Sequence, residues 1–261
     1  MSRSGQSSGQ SSGQRSGQPG AGAAAVAVGS FTLPRGHWFP LHQHPVHQLA
    51  WSSTGLLTVR ARAGRWLLPP TMALWIPRGV PHATGSTDGA VMRSPYVHPD
   101  RCPVGWPHPT VVAVPPLLRD LIDHLTRPGL GPSARGRAEA VLFDLLEPLP
   151  VRTVTVTPPT DPRARLVAEA LTADPTDDRT LESWGRVAGT SGRTLARLFS
   201  AETGTSFGRW REQLRMQAAI PLLAAGLTVE SVARRVGYAS ASSFVAAFRR
   251  TLGLTPRQYV S

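Results

Sequence analysis

Between about residues 30 and 107 the apolar positions come in short runs, "LLTVRA", "RWLLPP", "ALWIP" and "AVMRSPYV", with Gly or Pro breaking the pattern every ten residues or so. Runs of this length bounded by turn formers are strand chemistry, and their spacing predicts a small all-β barrel or sandwich. After the "PP" at 115–116 the period changes. Leu117, Leu118, Leu121, Ile122 and Leu125 recur at three- and four-residue spacings, and Val141, Leu142, Leu145 and Leu146 repeat the pattern, so two helices are expected. Their apolar faces have two readings, packing within the chain and a homodimer surface. "TVTVTPPTDP" at 153–162 reads as a proline-rich linker, and everything beyond it reads as helical. Residues 1–20 repeat Ser, Gly and Gln with nothing to bury, so backbone ordering has no compensation there. The expected division is a disordered tail at 1–28, a β domain at 29–107, a helical linker and dimerisation region at 108–160, and an all-α domain at 161–261.

The C-terminal domain carries one design twice. In "TLESWGRVAGTSGRTLARLF", Thr180 caps a short helix with Leu181, Trp184 and Val187 inward; a turn at Gly189 follows, and Ser191 caps a second helix with Leu195, Leu198 and Phe199 inward. In "TVESVARRVGYASASSFVAAFRR" the corresponding positions are Thr228, Gly237 and Ser240. Each is a helix-turn-helix pattern. The helix between them is capped by Ser206 and stops near Gly226. A rod of that length, about 25 Å, plus the width of the flanking helices sets two recognition helices about 34 Å apart, one turn of B-DNA.

Charge points the same way. The formal net charge is +12, and all 28 basic residues are arginine, which forks onto phosphates and guanine edges better than lysine does. With the two helix-turn-helix patterns, the expected partner is double-stranded DNA. Cys102 is the only cysteine, which excludes an internal disulfide and a multi-cysteine zinc site and fits a reducing compartment. No run approaches the roughly 18 apolar residues of a spanning helix, and "AGAAAVAVG" at 21–29 is too short for a secretory signal. A cytoplasmic protein with no membrane partner is expected.

"SGRTLARLFSAETGTSFGRWREQLRMQAA" and "VGYASASSFVAAFRRTLGLTPRQY" resemble the bipartite DNA-binding domain of the AraC/XylS family of transcription regulators. The resemblance implies that helices beginning at about Ser191 and Ser240 enter the major groove. Arg193 and Arg197, four residues apart on the first, suit bidentate contact with guanine, and Thr194 suits a thymine methyl or a phosphate. The second helix presents Ser242, Ser243 and small apolar groups, so it is expected to read shape and backbone, with Arg249 and Arg250 on phosphates. Three departures stand out. Gly185 and Gly192 replace the usual alanine and proline, and Pro221 is expected to kink or shorten the linking helix.

The stretch "HWFPLHQHPVHQ" at 37–48 holds four of the eight histidines. Gly36, His42, His44, Gln48 and Gly55 have the spacing of the first cupin motif, with Gln48 in the usual place of glutamate, and "PRGVPHATGS" resembles the second, ending in His82 with Ser86 where asparagine is usual. The resemblance implies a cupin barrel that senses a small molecule or metal. His42 and His44 are expected on one side of a strand, with His82 brought to them by a neighbouring strand. Three readings stay open: a divalent transition metal (zinc, iron, nickel or manganese) held by His42, His44, His82 and Gln48; a metal-free effector pocket; and structural histidines. His37 and His47 lie off the matched spacing and are expected at the surface. The two resemblances together point to a regulator whose barrel modulates promoter binding. The alternative is a metal-dependent cupin enzyme with an accessory DNA-binding module; no other catalytic motif is present.

Overall fold

A computed structural model of the chain describes residues 25–152, 154 and 156–260. Among the described residues, ten strands form two antiparallel sheets. The larger runs β1(Val26–Leu33), β9(Ala90–Val97), β3(His47–Ala50), β7(Met72–Ile76), β10(Thr110–Ala113), with β4(Ser52–Gly55) also on β9; the smaller runs β2(Trp38–His42), β8(His82–Gly85), β5(Leu57–Ala61), β6(Gly64–Leu68). The expected β domain is thus present, though its limits are wider than the sequence suggested. Residues 1–24 of the expected tail lie outside the described residues, but Val26, Ala27 and Val28 are strand, paired with Val97, Tyr96 and Pro95. At the other end β10 pairs with β7, so the segment assigned as linker from 108 begins with a strand. Four residues bounded by prolines are too few to show a period, yet Val111 and Val112 are core.

Two helices follow, α1(Pro116–Leu125) and α2(Pro132–Asp144). Leu118, Ile122 and Leu125 of α1 and Leu142 of α2 enter one core with Trp51, Trp75 and Val112 of the barrel. Most of their periodic apolar residues are therefore used within the chain, Leu121 half-buried against the same core, leaving Leu117 and Val141 exposed. Glu139 of α2 is buried and accepts the backbone N–H groups of Ala25 (3.2 Å) and Val26 (3.1 Å), tying down the start of β1.

The C-terminal half has seven helices among the described residues: α3(Pro162–Ala173), α4(Leu181–Val187), α5(Gly192–Thr203), α6(Phe207–Ala224), α7(Val229–Arg235), α8(Ala241–Leu252) and α9(Pro256–Val260). The five caps expected from sequence, Thr180, Ser191, Ser206, Thr228 and Ser240, all accept from the N–H three residues on. Pro221 does not shorten α6, which runs three residues beyond it. Trp184, Leu195, Phe199 and Trp210 centre one core, shared by α3, α4, α5 and the start of α6. The second half of α6, with α7, α8 and α9, joins a different core that is continuous with the barrel through Leu57, Leu68, Ile220 and Phe248. Val154 belongs to that core and Trp210 Nε1 donates to Thr157 O (2.8 Å), so the proline-rich stretch is packed chain. No helix among the described residues is long and apolar enough to cross a membrane.

Candidate functional site

The histidines come together through a bulge. β2 is an edge strand paired with β8; Phe39 opposes Thr84 and His42 opposes His82, with a register shift between. The shift, at Pro40 and Leu41, absorbs one residue. It turns Leu41 out to 71% exposure and sets His42 on the face of Phe39, whose ring centroid is 6.5 Å from it. Pro40 is tolerated because the strand is at an edge. His44 lies beyond the end of β2, so the expectation that it shares a strand with His42 is corrected. The chain bends after the strand and still delivers its ring to 4.8 Å from His42 and 5.4 Å from His82. One ligand nitrogen of each of His42, His44 and His82 lies within 4.8 Å of the others.

The protons can be assigned. His42 Nδ1 lies 2.6 Å from Pro40 O and His82 Nδ1 2.8 Å from Val80 O. A carbonyl only accepts, so each Nδ1 carries the hydrogen and each Nε2 presents a lone pair. His44 Nε2 is buried with no partner among the described residues. Burial, then repulsion from His42 and His82, pushes the His44 pKa down to about 4; burial foremost also lowers that of His82. Both are neutral at pH 7, the form in which imidazole is a ligand.

Gln48 comes from the other sheet. Its Nε2 donates to Ser94 Oγ (3.2 Å) and Tyr96 Oη (3.4 Å), turning Oε1 to His82 Nε2 at 2.9 Å. Two lone pairs then face one another. Either an amide rotated by half a turn, donating to His82, or a cation between the two atoms relieves this. Tyr96, 5.1 Å from the His44 ring and with a pKa raised to about 12 by burial, was not anticipated; its signal was its place opposite Gln48 in the sheet. Thr84, two residues from His82 on the same strand face, has a buried hydroxyl without a partner among the described residues. Ser86, in contrast, donates to Leu56 O (2.8 Å) and braces the fold. His37 is exposed, but His47 is half-buried, stacked on Trp75 at 5.1 Å and accepting from Arg78 N.

On the helical side, Arg193 and Arg197 are exposed on α5, while Thr194 is half-buried with its hydroxyl 3.0 Å from that of Ser191. Ser240, Ser242 and Ser243 are exposed at the start of α8, their hydroxyls joined through Ser240 Oγ. Arg249 is exposed; Arg250 is exposed as well but paired with Glu212 of α6.

Comparison with known proteins bears on both halves. Residues 28–146 match the AraC-like ligand binding domain, and residues 184–261 match a helix-turn-helix domain family. Over 229 residues, 85% of this chain and 82% of the relative, the sequence is 33% identical to the HTH-type transcriptional regulator NimR of Escherichia coli strain K12. The HTH-type transcriptional regulator RipA of Corynebacterium glutamicum is 39% identical over 45% of this chain and 37% of its own length. Among solved structures, the C-terminal domain of AraT, a response regulator from Geobacillus stearothermophilus, is 32% identical over 38% of this chain and 84% of that domain, with a TM-score of 0.36.

Proposed function

The chain belongs to the AraC family of transcription regulators, DNA-binding proteins with a ligand-sensing domain, and from that premise we propose how its residues divide the work. His42, His44 and His82, with Gln48 Oε1, hold a divalent transition metal in the barrel. The observation that carries this reading is the orphaned, buried Nε2 of His44 beside two histidines whose Nδ1–H groups are already spent on carbonyls. Backbone-anchored imidazoles are what a metal site asks of its ligands. A bound ion with open positions would supply a Lewis acid that an electron-pair donor of a small-molecule effector can join. Around it Tyr96 and Thr84 offer hydroxyls to orient that effector.

In the DNA-binding half, Arg193 and Arg197 contact guanine edges and Thr194 a thymine methyl or phosphate, with Ser191 at the helix start. Ser240, Ser242, Ser243 and Arg249 meet the sugar-phosphate backbone, and Arg250 reaches a phosphate on leaving Glu212. Exposed Leu117 and the half-buried Leu121 of α1 form part of a homodimer surface, and the compartment is the cytoplasm. The relatives are regulators, which weighs against a cupin enzyme with an accessory DNA-binding module.

Elemental analysis of tag-free protein purified without chelator tests the metal assignment. The wild type should carry a near-stoichiometric transition metal that a folded His42→Ala/His44→Ala variant lacks. Metal-free protein in both preparations, after exposure to zinc, iron, nickel and manganese in turn, refutes it.

A further inference from the structure

A second site lies away from the histidines. An open cleft of about 210 Å³ separates the barrel from the DNA-binding half, with Arg65, Thr87 and Asp88 on the barrel side and Gln217 and Pro221 of α6 on the other. Arg65 Nε is buried there without a hydrogen-bond partner among the described residues. Its register partner on β5 is Arg60, a like charge, and burial together with Arg60 depresses the Arg65 pKa. Like charges opposite one another in a ladder destabilise it, and a desolvated cation without a counter-ion is costly. Asp88 does not neutralise Arg65. It stands at the rim, 56% exposed, with its carboxylate 3.7 Å from Arg35.

The opposite wall carries a complementary defect. Pro221 sits inside α6 and has no N–H, so the carbonyl four residues earlier, that of Gln217, has lost its helical donor. The cleft thus sets a half-buried cation, without an ion pair among the described residues, across from a carbonyl that lacks its helical donor, with Leu56 and Leu67 as apolar surface between. A ligand that completes both must bring an anion and a hydroxyl on a short apolar body. The volume of about 210 Å³ lies below the ~300 Å³ where drug-sized sites begin.

We propose that this cleft binds a small hydroxycarboxylic acid, its carboxylate on Arg65 and its hydroxyl donating to the Gln217 carbonyl, with Thr87 a further donor to the carboxylate. The ligand touches both halves of the protein, so it binds one domain arrangement better than another and acts on DNA binding independently of the histidine cluster.

Calorimetric titration of the full chain with 3-hydroxybutyrate, butyrate and 1,3-butanediol tests this. Saturable binding of 3-hydroxybutyrate is expected, at least several-fold tighter than butyrate, with no binding of the uncharged diol. Arg65→Gln should weaken it at least tenfold, and Arg65→Lys, which keeps the charge, should retain part of it and control for folding. Pro221→Ala returns a donor to the Gln217 carbonyl and should erase the preference for 3-hydroxybutyrate over butyrate. His42→Ala/His44→Ala should bind as the wild type does, whether or not the histidines hold metal. The absence of saturable binding at millimolar ligand, an unchanged affinity in Arg65→Gln, or loss of binding in the histidine variant would overturn the site. A preference that survives in Pro221→Ala would overturn the role of the Gln217 carbonyl.

Discussion

Single side chains divide here according to whether their polar atoms are already spent. Arg250 is paired with Glu212 and Thr194 with Ser191, while the exposed Arg193 and Arg197 of α5 have no such partner among the described residues. Base reading should therefore fall mainly to the last two. Replacing Arg193 or Arg197 by Ala should cost about 1–3 kcal/mol in binding to the preferred site and relax the choice of base at one position. Arg249→Ala should weaken binding to all sequences alike and lower the salt slope by about 1. Binding assays on matched and mismatched duplexes over a range of salt separate the two outcomes; a uniform loss in Arg193→Ala and Arg197→Ala would remove them from base recognition. The same criterion sorts the histidines. His42 and His82 have an anchored Nδ1 and a directed lone pair, whereas His37 is exposed and His47 is spent on Trp75 and Arg78. Motif spacing in the sequence singled out His42, His44 and His82, which the structure brings together, and set apart His37 and His47, which lie away from that cluster. It could not reveal Tyr96, which reaches the site through sheet pairing with a distant segment, whereas Thr84 was open to strand alternation from His82.

At the level of elements, local signals were legible and long-range ones were not. Capping residues act on the N–H three positions on, so all five expected caps of the helix-turn-helix units could be read directly. The bulge in β2 depends on how that edge strand meets β8, and Pro40 was its sole local trace. β10 was missed because its four residues gain their stability from β7, some 35 positions earlier in the chain. Gly185 is informative in a different way. A Cβ there would stand 2.7 Å from Gly192 N, 2.8 Å from Thr190 O and 2.9 Å from the Ser191 carbonyl carbon, all backbone atoms. The departure from alanine thus lets α4 and the turn before α5 approach more closely than a methyl group permits. Gly185→Ala should destabilise the protein by about 1–3 kcal/mol through overpacking, with a lower midpoint in thermal unfolding, while Gly192→Ala, whose contacts begin at 3.1 Å, should cost less. Equal midpoints for wild type and Gly185→Ala would show that the turn gives way freely.

For the whole molecule, the important fact is where the cores join. The first helix-turn-helix unit has its own core around Trp184 and Phe199, but the second shares one with the barrel. α9 seals that junction: Tyr259 is buried, its hydroxyl donates to Leu67 O, and its carbonyl accepts from Thr71 Oγ1 at 3.0 Å. The barrel thus packs directly against the second helix-turn-helix unit, whereas the first meets that shared core through α6 and through Val156 and Thr157. Sequence could assign each half to its class, yet this seam was illegible, since each of its contacts spans well over a hundred residues. The most direct test of the account is the affinity for a duplex selected by this protein from random DNA, measured with metal-loaded and metal-stripped protein in the wild type and in His42→Ala/His44→Ala. A coupled sensor predicts a shift of about 1–3 kcal/mol between loaded and stripped wild type, and none in the variant. An affinity indifferent to metal in the wild type, or an equal shift in both proteins, would contradict a histidine centre that governs DNA binding.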